Sequence, residues 1–163
     1  MKEKYKLPHK RRRKKKTDYK LRLSLLKSGK HRLVVRKSNN FIIGQVIKYE
    51  KDGDKTVVSA HSKMLKKLGW KNSCKNLPAA YLTGLILGRK AKENKINDAV
   101  LDLGLQTSTK GNKIYALLKG VIDGGLNVNC SKDVIPSNER IMGKHISENV
   151  VKDFESLKNK IMK

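Results

Sequence analysis

KRRRKKKTDYKLRLSLLKSGKHRLVVRKSN (residues 10–39) is the stretch around which the chain is organised. It opens with seven consecutive cations, residues 10–16, whose mutual repulsion predicts a disordered arm until a polyanion binds. A short amphipathic segment, residues 21–26, follows and ends at a turn that contains Gly29. The apolar strand at residues 33–35 comes next and has basic residues on both sides. A basic arm that leads into a basic-edged sheet is typical of a nucleic-acid-binding protein.

The charge of the chain is strongly basic and unevenly distributed. Thirty-nine Lys and Arg stand against 14 Asp and Glu, a formal net charge of +25 over 163 residues. Residues 1–37 contain 17 of these cations and two of the acidic residues. Such an excess favours phosphate backbones or anionic membranes as partners. We expect no membrane association, because the arm has no clear apolar face and the apolar run at residues 77–88 is too short to cross a bilayer. The N-terminus also has no apolar signal-peptide core.

The apolar pattern predicts a mixed-sheet α/β domain that begins with three strands. Residues 33–37, 41–49 and 56–60 are expected to form an antiparallel meander, because a Ser-Asn-Asn triplet and the Asp52-Gly53 pair are turn signals between them. Side chains alternate between the two faces of a strand, so Arg32 and Arg36 share one side. We expect that side to be exposed, with Gln45 and Lys48 on or near it.

Two helices are expected next. Ser62 is expected to cap a short helix that ends at Gly69, and Pro78 to occupy the first turn of a helix over residues 78–94. This second helix carries a stripe of small residues, at which a sheet or another backbone can approach closely: Ala80, Gly84, Gly88 and Ala91.

The second half predicts a βαβ unit and a terminal helix. Residues 99–103 are expected to form a central strand, residues 114–121 an amphipathic helix, and residues 126–128 a short parallel strand. Val150, Phe154, Leu157 and Ile161 keep helical spacing near the C-terminus. We therefore divide the chain into a basic arm with a short helix (residues 1–30), a globular α/β domain (31–146) and a C-terminal helix (147–163).

Residues that could support catalysis or metal binding are scattered. Cys74 and Cys130 form no CxxC motif, and Asp98, Asp102 and Asp123 are the only carboxylates near strand and helix ends. Metal-dependent cleavage of nucleic acid needs several carboxylates that converge on one site. We expect a protein that is not an enzyme and has no cofactor, metal or small-molecule substrate.

A series of motifs extends through nearly the whole chain. The motifs are RRR at 11–13, TDY at 17–19, LLKSGK at 25–30, RLVVRKSN at 32–39, SAHS at 59–62, PAAYLTG at 78–84, VLDLGL at 100–105 and GKHI at 143–146. In this order they closely resemble the archaeal large-subunit ribosomal protein family called L-eighteen, which is homologous to eukaryotic ribosomal protein L-five. The resemblance implies a ribonuclease-H-like mixed sheet and a cytoplasmic protein of the large ribosomal subunit. It also implies that 5S rRNA is bound and attached to the large-subunit 23S rRNA at the central protuberance, beside neighbouring ribosomal proteins.

The alternative is a general basic RNA-binding or chaperone protein without 5S specificity. That class explains the charge, but it explains neither the α/β core nor the order of the motifs. Arginine forks suit phosphate oxygens and unpaired bases, whereas short polar groups suit 2′-hydroxyls and base edges. The predicted RNA-binding residues are Lys10, Arg11, Arg12, Arg13, Lys14, Lys15, Lys16, Tyr19, Arg22, Lys27, Lys30, Arg32, Arg36, Lys37, Ser38, Asn39, Ser59 and His61.

Overall fold

A computed structural model describes residues 6–162 of the chain. The elements in chain order are α1 (Lys10–Arg13), α2 (Tyr19–Leu26), β1 (His31–Lys37), β2 (Ile42–Lys48), β3 (Lys55–His61), α3 (Met64–Lys67), α4 (Leu77–Glu93), β4 (Asp98–Asp102), α5 (Lys113–Asp123), β5 (Asn127–Val128), a 3₁₀ turn (Lys132–Val134), α6 (Asn138–Met142) and α7 (Glu148–Met162). No helix within this part of the chain is both long and apolar enough to cross a membrane.

The five strands form one mixed sheet in the order β3-β2-β1-β4-β5. β1 pairs antiparallel with β2, and β2 pairs antiparallel with β3. β4 runs parallel to both β1 and β5, with α5 as the crossover between β4 and β5. The predicted α/β class, with an antiparallel meander extended by a βαβ unit, is therefore confirmed. β1 is the middle strand, and β4 is internal but lies one position towards the edge.

Helix α4 lies at the centre of the packing. Twelve of its 17 residues are buried, because the sheet and α5 cover one side while α3, α6 and α7 cover the other. Leu33 and Val35 of β1 belong to the cluster that joins the sheet to α4 and α5. Phe154 of α7 belongs to the second cluster, and its ring lies 5.5 Å from that of Tyr81. The predicted separation of residues 147–163 from the α/β domain stays a prediction.

The small residues of α4 allow its backbone to touch the backbone of α5. A Cβ atom added to Gly84 would lie 2.0 Å from the carbonyl oxygen of Leu117, and one added to Gly88 would lie 2.4 Å from that of Val121. The contact is reciprocal, since a Cβ on Gly120 of α5 would lie 2.1 Å from the carbonyl oxygen of Tyr81. The predicted function of the small-residue stripe is thus confirmed, with α5 as the backbone that approaches.

Helix α2 differs from the amphipathic segment expected over residues 21–26. Asp18 caps it by accepting hydrogen bonds from the amides of Lys20 and Leu21, but every residue of α2 stays at least partly exposed. Leu21 and Leu25 share a face, whereas Leu23 points elsewhere and is 60% exposed. The amphipathic prediction is wrong, because the leucines alternate along the helix instead of following its period.

Ser62 is also placed differently from the prediction. Its hydroxyl accepts a hydrogen bond of 3.0 Å from the amide of Ile42, and Lys63 takes the N-cap position of α3 without a side-chain cap. The prediction of a Ser62 cap is wrong, because this buried hydroxyl instead satisfies a backbone donor at the start of β2.

We expect Gly84→Ala to destabilise the fold by about 2–3 kcal/mol, since the added methyl group would overlap the α5 backbone. Helix propensity alone predicts the opposite sign, a gain of roughly 0.5–1 kcal/mol for Ala over Gly. Chemical denaturation followed by circular dichroism decides between them. Gly29→Ala is the control, because its Cβ would meet nothing within 4 Å and would add only the strain of a positive φ. A Gly84→Ala variant as stable as the parent would contradict the close contact.

Candidate nucleic-acid interface

One face of the sheet carries no packed helix layer. Leu33, Val35 and Val46 point towards α4 and α5, so the residues that alternate with them point the other way. Arg36, Ile43 and His61 stand in register across β1, β2 and β3 on this opposite face. Val34, Gln45 and Ser59 form the next row. The structure therefore brings the predicted residues Arg36, Ser59 and His61 onto one surface.

A groove of about 670 Å³ lies between this face, α2 and the arm. Cations line it from three elements: Arg11 and Lys16 from the arm, Arg22 from α2 and Arg36 from β1. Neutral hydrogen-bonding groups come from Gln45 of β2 and from Gln106 in the loop after β4. We call this space the arm groove. Three carboxylates also line it, those of Asp18, Asp54 and Asp102.

Arg32 lies in the wall of the arm groove but is 5% exposed. Its Nη1 donates to Asp102 Oδ2 at 2.7 Å, and its Nη2 donates to Asp54 Oδ2 at 2.5 Å. The expectation that Arg32 shares the exposed surface of Arg36 is wrong, because the parallel pairing of β1 with β4 brings Asp102 beside it. Both terminal nitrogens are committed to carboxylates.

The ion pairs of Arg32 extend to α2. Asp54, in the loop between β2 and β3, also accepts from Arg22 Nη2 at 3.0 Å. Asp102 uses its other oxygen to accept the amide of Gly104 at 2.9 Å. The Arg22–Asp54 pair therefore connects α2, and with it the root of the arm, to the β2–β3 loop and to the Arg32 network.

The described part of the arm has local structure instead of the predicted disorder. Residues 10–13 form one helical turn, and Arg11 Nε donates to Thr17 Oγ1 at 2.8 Å. The rings of His9 and Tyr19 lie 5.3 Å apart, so Tyr19 anchors the arm to α2. These short-range bonds fold the arm back on itself while each of its seven consecutive cations stays exposed. Residues 1–5 of the predicted arm lie outside the described residues, as does Lys163 of the predicted C-terminal helix.

The end of β1 and the turn after it carry four predicted residues on the surface: Arg36, Lys37, Ser38 and Asn39. The Ser38 hydroxyl accepts from the amide of Phe41 at 3.0 Å and lies 3.1 Å from its carbonyl oxygen. It therefore closes the turn. His61 Nδ1 accepts the amide of Lys63 at 2.9 Å, and its ring lies 5.0 Å from that of Phe41. Lys27 and Lys30 are exposed at the far end of α2.

Sequence reasoning missed three groups that shape the arm groove: Asp54, Asp102 and Gln106. Gln106 Nε2 donates to the carbonyl oxygen of Val35 at 2.6 Å across 71 residues of sequence. Asp102 was considered only as a lone acidic residue at a strand end. The one local signal was the VLDLGL motif at 100–105, in which Asp102 is the single charge within an apolar run.

The three carboxylates considered for metal-dependent cleavage have separate structural partners. Asp98 accepts from Asn127 Nδ2 at 2.8 Å, and Asp123 accepts from the Tyr81 hydroxyl at 2.8 Å. Burial, followed by the hydrogen bond to Asp123, raises the pKa of Tyr81 far above its ordinary value. Across residues 6–162, no group of three or more His, Cys, Asp and Glu side chains is placed to hold a metal ion.

A model of a known protein family matches most of the chain. The model described as "Ribosomal large subunit proteins 60S L5, and 50S L18" matches residues 3–100 and 90–131. The matched segments contain the arm, the whole sheet, α4 and α5. Every predicted RNA-binding residue and both carboxylate partners of Arg32 lie within them.

We expect Asp102→Asn to lower the free energy of unfolding by about 2–3 kcal/mol, because it leaves the buried Arg32 with Asp54 as its one remaining carboxylate partner. Chemical denaturation of the full chain measures this loss. Asp52→Asn is the matched control, since Asp52 is exposed in the β2–β3 loop and its removal should change stability by less than about 0.5 kcal/mol. Equal effects of the two variants would show that Asp102 contributes only long-range charge.

Proposed function

The chain belongs to the family of large-subunit ribosomal proteins 60S L5 and 50S L18, and we propose that within the subunit it binds 5S rRNA and attaches it to the large-subunit rRNA at the central protuberance. Its family makes it an rRNA-binding component of a ribonucleoprotein that acts in translation. The arm groove is the surface that we assign to 5S rRNA.

The observation that carries the proposal is the convergence of three basic elements on one groove. The arm, α2 and β1 follow one another along the chain, and each contributes cations to it, although Arg22 of α2 is also paired with Asp54. Arg36 has no carboxylate within ion-pair distance among residues 6–162, so its guanidinium is available to phosphate oxygens. The exposed cations at residues 10–16 can contact further phosphates along the backbone of the same RNA.

Neutral groups in and beside the arm groove favour an RNA of defined shape over any polyanion. Gln45 lines the groove, Ser59 is its neighbour on β3, and Asn39 lies in the β1–β2 turn. These side chains can donate and accept hydrogen bonds, which suits 2′-hydroxyls and base edges. A general polyanion binder needs only the cations. The network around Arg32 supports the same interpretation, because it fixes α2 relative to the sheet and so fixes the distance between the two walls of the groove.

The proposal predicts that the full chain binds 5S rRNA at least about tenfold more tightly than an unrelated structured RNA of equal length at physiological salt. Filter binding or fluorescence anisotropy with labelled transcripts measures both affinities. Equal affinities would favour the general RNA-binding or chaperone alternative.

Arg36→Lys tests whether the arm groove recognises shape as well as charge. The substitution keeps the cation but removes the planar fork, so affinity for 5S rRNA should fall by about 1–3 kcal/mol. The slope of log K against log salt should hardly change, because the number of cations is the same.

Arg140→Lys is the matched control for that substitution. Arg140 is exposed on α6, on the side of α4 away from the sheet, and its replacement should leave 5S affinity unchanged. If Arg36→Lys binds like the parent, Arg36 supplies only charge, and recognition must lie elsewhere in the arm groove.

A further inference from the structure

A second basic surface lies on α3 and the loop that follows it. Residues 55–92 contain no Asp or Glu, and within them the α3 segment carries five lysines. All five are exposed, and none comes within ion-pair distance of a carboxylate in the described part of the chain. They are Lys63, Lys66, Lys67, Lys71 and Lys75. We call this set the α3 surface.

The α3 surface rests on a rigid frame. Leu65, Trp70 and Cys74 are buried in the cluster shared with α4 and α7. Trp70 Nε1 donates to the carbonyl oxygen of Ser73 at 3.1 Å, and Asn72 Nδ2 donates to Asp153 of α7 at 2.9 Å. The lysines thus project from a folded, pinned segment, whereas the cations of the arm project from a single exposed turn.

The α3 surface is separate from the arm groove. Leu65 attaches α3 to the helix layer, whereas the arm groove lies on the opposite face of the sheet. Along β3, the pair of Asp54 with α2 precedes the strand, whereas α3 follows it. Seven residues of strand separate these ends by roughly 20 Å. Because the two surfaces lie on opposite sides of the sheet, an RNA strand held in the arm groove leaves the α3 surface open.

We propose that the α3 surface binds the phosphate backbone of a second RNA segment, in the large-subunit rRNA, while the arm groove holds 5S rRNA. Lysine ammonium groups act as mobile point charges that suit phosphates without base recognition. Met64 and Leu68, which are 36% and 41% exposed, stand among the lysines and can pack against ribose. The assignment of the two RNAs rests on the proposed function, and it makes the protein a bridge with one RNA on each side of its sheet.

The test uses the full chain, a 5S rRNA transcript and a large-subunit rRNA transcript, each titrated alone and then together. The variant Lys66→Gln/Lys67→Gln/Lys71→Gln removes three cations from the α3 surface. Its affinity for the large-subunit transcript should fall about tenfold or more at physiological salt, and its slope of log K against log salt should flatten by roughly 2–3. Its affinity for 5S rRNA should stay within about twofold of the parent value.

A triple variant of equal charge is the control. Lys132→Gln/Lys152→Gln/Lys160→Gln removes three exposed lysines outside both basic surfaces, and both affinities should stay near those of the parent. Circular dichroism melts check that both variants fold, which the exposure of all six side chains leads us to expect.

Several outcomes would overturn the proposal. The first is that the α3 variant binds the large-subunit transcript as tightly as the parent does. The α3 surface would then be solvated or would bind an acidic protein. The second is that both triple variants lose the same affinity for the large-subunit transcript, which would show an effect of net charge alone. A third is competition between the two transcripts for one site. Failure of the parent to prefer 5S rRNA would count against the proposed function instead, because the large-subunit titration is measured without 5S rRNA.

Discussion

Helices α4 and α5 touch through their backbones, and this contact sets how every other layer packs. Glycines on both helices lack the Cβ atoms that would keep the axes apart, so carbonyl oxygens of one helix lie where side chains of the other would begin. This contact lets α4 and α5 share the same face of a narrow sheet, and it leaves the outer side of α4 for α6 and α7. The opposite face of the sheet stays free of the helix layer, and that face is where α2 and the arm attach.

The buried guanidinium of Arg32 connects this core to the basic surface. Removing the charges of a buried ion pair from water costs free energy. A protein with apolar residues of the same volume in their place can therefore be as stable. What the network contributes is position, because Arg32 joins β4 and the β2–β3 loop, and Asp54 continues the connection to α2. A helix with leucines on several sides has no single way to lie on a sheet. The carboxylate of Asp54 selects one, and the width of the arm groove follows.

The positive charge of the protein is organised into surfaces of different physical character. The cations of residues 10–16 lie on an exposed turn held by short-range bonds, so they can adapt to the path of a backbone. Arg36 and the turn after β1 are mounted on a strand and present fixed geometry. The α3 lysines belong to a segment that the buried Leu65 and Trp70 hold in place, but their side chains are flexible at the ends. A ribosomal protein that contacts more than one stretch of RNA can use each of these modes at a different place.

Features that depend on neighbours along the chain can be predicted from local patterns. The Asp52-Gly53 turn, the alternation along the first strands, the period of α5 and the small-residue stripe of α4 are local patterns, and each predicted its element. The order of motifs also indicated the family. The partners of Arg32 could not be predicted in this way, since Asp102 lies 70 residues away in sequence and reaches it through parallel pairing of β1 with β4. The same holds for Ser62, whose hydroxyl accepts a hydrogen bond from the amide of Ile42, 20 residues earlier. It also holds for α2, which is connected to the β2–β3 loop through the pair of Arg22 with Asp54. Local patterns record the preferences of a segment, whereas the burial of a polar group depends on which distant strand is placed beside it.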